Sequence, residues 1–280
     1  MPKHYEALQR AEQERRRKAS GVDAPLPASV SFEGPEAPPT EPRRPGFLSR
    51  LLRRGASDVE GATDANKRRI ALLQPDSYVA EQYRSLRGRI DSIESQRPLK
   101  TIAVTSANSG EGKSTCSVNL AVVTAMSVGR NVLLVDCDLR RPKVHWTLGL
   151  QPQVGLAEVL LNQATVDDAI QKLDGINLDV LPVRTVPPNP SELLASPEMR
   201  RLIQEVAGRY DRVILDTPAC LGLPDAKSVS EISDGLVMVV RAGVTPQQDV
   251  QAALDILDRR RVVGLVLNGS EATREQYGYY

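Results

Sequence analysis

Six short apolar runs punctuate the chain from residue 101 onward: TIAVTSA (101–107), NVLLVDCD (131–138), LDVLPV (178–183), DRVILDTP (211–218), GLVMVVRAG (235–243) and VVGLVLN (262–268). Each is continuous rather than alternating, the pattern of parallel strands covered on both faces. Helical periodicity fills the gaps, over 113–128, 191–207 and 246–260. Upstream, SYVAEQYRSLRGRIDSI places Val79, Tyr83, Leu86, Ile90 and Ile93 at helical spacing, behind Asp76 or Ser77 as cap. Strand and helix alternate, which predicts an α/β fold with a doubly wound, mostly parallel sheet. There is no internal repeat.

The pattern stops near residue 70. Residues 3–18 (KHYEALQRAEQERRRK) suit a short charged helix, and 21–47 hold a dense run of prolines with Gly, Ser, Glu and Ala. Such a mixture buries too little apolar surface to fold and reads as a linker. In PGFLSRLLRRG, a helix would set Phe47, Leu48, Leu51 and Leu52 opposite Arg50, Arg53 and Arg54. That is a membrane-surface or partner-docking element, or else a solvated basic stretch of barely two turns. The expected organisation is a disordered N-terminal extension over 1–70 and one domain over 71–280.

Composition narrows the function. The 280 residues carry a net charge of +1, so nothing in the bulk electrostatics favours nucleic acid as a partner. Cys116, Cys137 and Cys220 are scattered and lack metal-ligand spacing, as buried thiols of a reducing compartment do. No run approaches the ~20 apolar residues of a membrane span, and no signal-peptide core is present, so a cytoplasmic location is expected. Only 4% of residues are aromatic, yet Tyr277, Tyr279 and Tyr280 fall within the last four positions.

The most specific chemical signal is Ala107–Ser114, which matches [AG]-x4-G-K-[ST] between a strand and a helix. Gly110 and Gly112 let the backbone curl so that its N–H groups point at phosphate oxygens. The helix that begins at Lys113 adds its positive dipole end. Lys113 is placed to reach terminal phosphates, and the Ser114 hydroxyl to bind Mg²⁺. Asp136 and Asp138 lie at i and i+2, on one side of a strand end, and Asp216 ends another apolar strand. In a parallel sheet such tips converge beside the phosphate loop. Mg²⁺ takes one or two carboxylates plus substrate phosphate oxygens.

TSANSGEGKST, LLVDCDLRRP and VILDTPA together resemble the three nucleotide motifs of the bacterial tyrosine kinases. These are P-loop proteins of the MinD/ParA-like fold that serve capsule and exopolysaccharide systems. The likeness runs from about residue 75 onward and includes EQYRSLR, VGLAEVL, LPVRTVPPNPSELLASPEM, DAKSVSEISDGLVMVVRAG, LVLN and the tyrosine tail. MPKHYEALQRAEQER is similar to the start of some cytoplasmic members.

The resemblance implies ATP binding by Asn108, Ser109, Gly110, Glu111, Gly112, Lys113, Ser114 and Thr115, with Asn268 at the adenine edge. A turn-forming Asn before Gly269 is the alternative for that last residue. Asp136 would be the base toward the incoming tyrosine, and Ser114, Asp138 and Asp216 would hold Mg²⁺. Lys113, Asp136, Asp138 and Asp216 make up the implied catalytic set. Tyr277, Tyr279 and Tyr280 would be phosphoacceptors on neighbouring subunits of a homo-oligomeric ring. Glu81, Arg84 and Arg87 match the family's E-x2-R-x2-R contact pattern, though such a stripe is also an ordinary solvated face. A membrane-bound polysaccharide co-polymerase would supply an activating segment and bring the chain to the inner face of the membrane. A cognate tyrosine phosphatase is implied as well.

The tail departs from the family in being short, which leaves Tyr5 or Tyr83 as other acceptors. Two rival readings remain open here. A positioning ATPase of the related group would carry an extra lysine early in the phosphate loop, where Ala107, Asn108 and Ser109 stand instead. A non-catalytic regulator of a polysaccharide polymerase would not need Lys113, Ser114 and the three aspartates.

Overall fold

In the computed structural model, residues 69–270 are described. The expected helix, linker and basic segment before residue 69, and the tail tyrosines, lie outside them. Every residue of β1 (Thr101–Ser106), β2 (Val132–Asp136) and β5 (Arg212–Asp216) is buried. Uninterrupted β-branched and leucine side chains demand that, since both faces of such a strand need covering. With β3 (Gln171–Leu173), β4 (Leu178–Leu181), β6 (Gly235–Arg241) and β7 (Val262–Asn268) they form one sheet of order β3-β4-β2-β5-β1-β6-β7. Only β3 runs antiparallel.

Helices cover both faces. One is packed by α1 (Ile70–Leu73), α2 (Tyr78–Glu94), α3 (Lys113–Ala125) and α4 (Val144–Leu148), the other by α5 (Leu156–Leu160), α6 (Val166–Ala169), α7 (Pro190–Leu194), α8 (Pro197–Arg209), α9 (Asp225–Glu231) and α10 (Gln247–Ile256). The doubly wound sheet is therefore as expected. Of the two candidate caps of α2, Ser77 serves: its Oγ accepts from Ala80 N at 3.2 Å. Ile90 is buried, Tyr83, Leu86 and Ile93 pack partly against the core, and Val79 faces outward.

Three differences have physical causes. The helix expected over 191–207 is two, because Ser196 caps α8 through Met199 N and Pro197 opens it. The short strand β3 is polar and was not expected at all. The sixth run is not covered on both faces: Leu265 and Leu267 of β7 are 57% and 61% exposed. β7 is the sheet's edge, and α2 overhangs it only loosely, leaving a groove of about 350 Å³ between Tyr83, Leu86 and those leucines. Among the described residues no helix is long and apolar enough to cross a membrane.

The sheet positions the chemistry by register. Val132↔Arg212 through Asp136↔Asp216 pair in parallel, so the two terminal aspartates stand side by side. β1 lies on the other side of β5 and hands the chain directly into the phosphate loop.

Candidate active site

The loop from Ala107 to Thr115 turns on two residues in the left-handed region, Gly110 (φ +86°) and Gly112 (φ +95°). A Cβ on Gly112 would also come within 2.0 Å of Asn268 Nδ2. Gly112 caps α3 without a side-chain acceptor, so the first N–H groups of the helix point outward unclaimed by a cap. Ser109 and Gly110 are exposed, and Ser114 and Thr115 half-buried.

Behind the loop stands a set of polar braces. Asn268 Nδ2 donates to Glu111 O (2.8 Å), and Thr245 Oγ1 donates to the buried Glu111 carboxylate (2.6 Å). Asn108 Nδ2 donates to Asp249 (2.7 Å), and Arg241 reaches Gly110 O (3.5 Å). Glu111 thus points away from the phosphate side, and Asn268 touches the loop from the tip of β7. Thr245, Asp249 and Arg241 carry no motif signature and were not legible in the sequence.

Lys113 and the three aspartates come together. Lys113 Nζ lies 2.8 Å from Asp138 Oδ2 and 3.4 Å from Ser114 Oγ. Burial pulls the Lys113 ammonium down, but Asp216, Asp138 and Asp136 together hold its pKa above the ordinary lysine value. Asp136 is fully buried. Its Oδ1 accepts from Asp138 N, and its Oδ2 from Lys143 N and Val144 N, each at 3.1 Å. Burial raises the Asp136 pKa, the neighbouring charges of Asp216 and Asp138 add to that, and the backbone donors only partly oppose it. Asp138 Oδ1 accepts from Arg141 N at 3.0 Å, which turns its other oxygen to Lys113.

Asp216 is fully buried as well, and burial raises its pKa against the pull of Lys113, Ser114 and Ser117. Ser117 Oγ donates to Asp216 Oδ1 at 2.9 Å. Oδ2 is buried without a hydrogen-bond partner among the described residues; Ser114 is close enough to be felt but makes no full bond to it. A carboxylate oxygen left bare beside a serine hydroxyl fits Mg²⁺, which prefers one or two hard protein oxygens and takes the rest from phosphate and water. Ser117 was missed in the sequence, although it stands one turn after Lys113 and Ser114 on α3.

The remaining predicted residues take other places. Glu81 and Arg84 pair with each other on α2, and Arg84 also donates to Pro75 O at 2.7 Å. Arg87 donates to Val123 O at 2.7 Å and approaches Asp91 at 3.9 Å. Both arginines thus have partners within the chain. Tyr83 is partly buried under the β7 edge, and burial pushes its phenol well above the ordinary value, the opposite of an activated acceptor. All three cysteines are free and buried, as expected.

Residues 99–259 match the family model described as AAA domain. The chain is 41% identical over 214 residues to the tyrosine-protein kinase YwqD of Bacillus subtilis (strain 168), covering 75% of this chain and 90% of that protein. It is 32% identical over 231 residues to the succinoglycan biosynthesis transport protein ExoP of Rhizobium meliloti (strain 1021), covering 76% of this chain but only 29% of that protein. Among solved structures, the kinase domain of Escherichia coli tyrosine kinase ETK superposes with a TM-score of 0.69 at 31% identity, over 75% of this chain and 84% of that one. A nucleotide loop, paired acidic strand tips and likeness over nearly the whole of a dedicated kinase converge, and the chain belongs to the bacterial tyrosine kinases built on the P-loop AAA-type sheet.

Proposed function

We propose that the chain transfers the γ-phosphoryl group of ATP to tyrosines Tyr277, Tyr279 and Tyr280 of neighbouring copies, and so regulates the synthesis and export of an extracellular polysaccharide. The observation that carries this reading is the packing of Asp136 against Asp216 with Lys113 held on Asp138. Three carboxylates around one lysine, at the mouth of a phosphate loop, suit phosphoryl transfer from ATP to a phenol oxygen. The loop's N–H groups and the α3 dipole bind the phosphates. Lys113 exchanges Asp138 for phosphate oxygens, which frees that carboxylate. Ser114, Asp138 and Asp216 would hold Mg²⁺, which would supply charge neutralisation at the nucleotide's phosphate groups. Asn268 lies beside the loop where it can also meet the base. Asp136 in its ionised form, a stronger base for a pKa raised by burial and its neighbours, accepts the tyrosine Oη proton as the new O–P bond forms. ADP leaves with the electrons of the broken bond.

Glu81, Arg84 and Arg87 form the proposed contact between copies, each arginine giving up or sharing a partner within its own chain. The ring is emptied of cohesion as tails gain about 1.5–2 negative charges per phosphate. A membrane-bound co-polymerase is the expected activator, and a tyrosine phosphatase the expected counterpart. ExoP, in which a matching segment is part of a polysaccharide transport protein, supports that placement.

The test is transfer between copies. A chain with Tyr277, Tyr279 and Tyr280 replaced by Phe is mixed with Mg-ATP and a Lys113→Met chain that keeps its tail, with and without the activator's cytoplasmic segment. Phosphotyrosine on the Lys113→Met tail, located by mass spectrometry, is expected. ATP hydrolysis with no phosphotyrosine on either chain would favour a positioning ATPase.

A further inference from the structure

Outside the four catalytic groups lies a second charged assembly drawn from three separate stretches. Arg140, two residues after Asp138, donates through Nε to Asp225 Oδ2 at 2.7 Å and through Nη2 to Ser191 Oγ at 2.8 Å. Ser191 Oγ donates in turn to the other oxygen of Asp225, Oδ1, at 2.5 Å. Asp225 is completely buried at the start of α9, and Ser191 sits in the first turn of α7. The Arg140 side chain they hold is 36% exposed. Its Nη1 has no hydrogen bond among the described residues. The buried carboxylate and the closed triangle of hydrogen bonds fix the guanidinium in place.

Arg140 does not stand alone. Arg141 and Lys143, on the same loop between β2 and α4, are exposed, and neither side chain has an ion pair among the described residues. Their backbone N–H groups hold Asp138 and Asp136 respectively. The loop therefore turns its backbone inward to the catalytic carboxylates and three cations outward. Arg140 is near enough to Asp138 to feel its charge, so the rim borders the acidic cluster. The interior beyond it is acidic, so an acceptor with flanking carboxylates would be repelled without such a counter-charge.

We propose that the rim of Arg140, Arg141 and Lys143 is the acceptor-docking site, selecting tyrosine segments with acidic flanks, and that Asp225 and Ser191 are positioning residues that aim Arg140. This rests on the kinase reading above and names the class of acceptor it takes. The chain's own segment EATREQYGYY fits: Glu275 precedes Tyr277 by two residues, and Glu271 lies further upstream. A guanidinium pre-set by two partners loses little freedom on meeting a carboxylate, so it discriminates better than a free surface lysine.

The test compares two synthetic peptides, EATREQYGYY and QATRQQYGYY, as acceptors of the full chain with Mg-ATP and the activator's segment. The wild type favours the acidic peptide about tenfold in kcat/KM, as expected for two carboxylates against a fixed guanidinium and its neighbours. The preference falls to about one in Arg140→Gln and in an Arg141→Ala/Lys143→Ala double variant. In Asp225→Asn it drops through peptide KM while KM for ATP holds, a split that loss of structure would not give. Ser191→Ala, the mildest change, weakens the preference through peptide KM and leaves KM for ATP unchanged in the folded protein. Arg140→Lys retains charge but only part of the preference. Equal use of both peptides by the wild type, or an unaltered ratio in the rim variants, overturns the inference. Failure of the wild type to phosphorylate either peptide overturns the acceptor reading itself, and this inference with it.

Discussion

Replacing Asp216 by Asn should stabilise the free protein while abolishing phosphoryl transfer. In the folded chain this carboxylate is entirely buried, one oxygen has only the Ser117 hydroxyl, and the other has no partner among the described residues. Asp136 is its register neighbour on the next strand. A buried polar atom left unpaired costs about 1–3 kcal/mol. The amide keeps a polar atom in that place, so the gain comes from removing a buried charge and its repulsion from neighbouring carboxylates; set against the lost attraction to Lys113, it leaves a net gain of about 1–2 kcal/mol. For a domain of this size that raises Tm by about 2–8 °C. The sign of the pH dependence follows from the raised folded pKa of Asp216. Below the unfolded value of about 3.9 both states are protonated and the variant gains nothing. As pH rises toward the folded pKa, the wild type loses stability and Asp216→Asn does not, so the gap in Tm widens. Calorimetric melts over a pH series that starts at about 4, the unfolded value, and runs upward read this directly. Mg-ATP then reverses the order, because a ligand at 100 times its Kd adds about 2.7 kcal/mol to the chain that binds it. A variant that melts below wild type near neutral pH, or a gap that stays flat with pH, would refute the reasoning.

Three further outcomes are expected. Ser117→Ala removes a hydrogen bond that lowers the Asp216 pKa, so the acid limb of the kcat/KM profile moves to higher pH; an unmoved limb would show that the bond is not felt by the catalytic set. Gly155→Ala places a Cβ 2.6 Å from both Pro182 O and Arg184 N, backbone atoms that cannot swing aside. A cost of about 3 kcal/mol and a Tm lowered by roughly 6–12 °C are expected in thermal melts. Arg212→Met removes a buried guanidinium from Leu99 O (2.9 Å), Asp91 (3.1 Å) and Glu94 (2.7 Å), leaving those carboxylates to Arg130. Urea melts should show a loss of about 2–3 kcal/mol, with the kinase rate per folded molecule unchanged at 25 °C.

The sheet was legible because its strands need the same residue type throughout. VLLVD and RVILD have no polar face to place, so their burial, direction and role as carriers of a terminal aspartate follow from composition and order alone. Where a segment answers to its neighbours instead, the pattern misleads. VVGLVLN has the same composition as the central strands but lies at the edge, where Leu265 and Leu267 meet only the overhang of α2. The helices α4, α5, α6 and α9 have four to seven residues, too few for a periodic signal, and they form because their few apolar residues dock on an existing sheet. β3 is a polar three-residue strand whose only reason to extend is the exposed edge of β4.

The same division runs through the site. Groups that face phosphate carry constraints visible in one stretch of chain: glycines that must turn left-handed, a lysine and serine opening a helix, acids ending strands. Groups that aim them are set by what the fold brings alongside, and no local spacing announces them. Ser117 serves Asp216 across 99 positions, Thr245 serves Glu111 across 134, and Asp225 serves Arg140 across 85. Each of these partners is an ordinary Ser, Thr or Asp until the sheet order is known. The strand order β2-β5-β1-β6 is what brings these scattered polar residues together. Loops leaving adjacent strand tips must meet, and a buried carboxylate among them must answer to a cation there. By that logic Asp225, buried at the start of α9 after β5, points back to the loop after β2, and the arginine it finds is the one that borders the clustered aspartates.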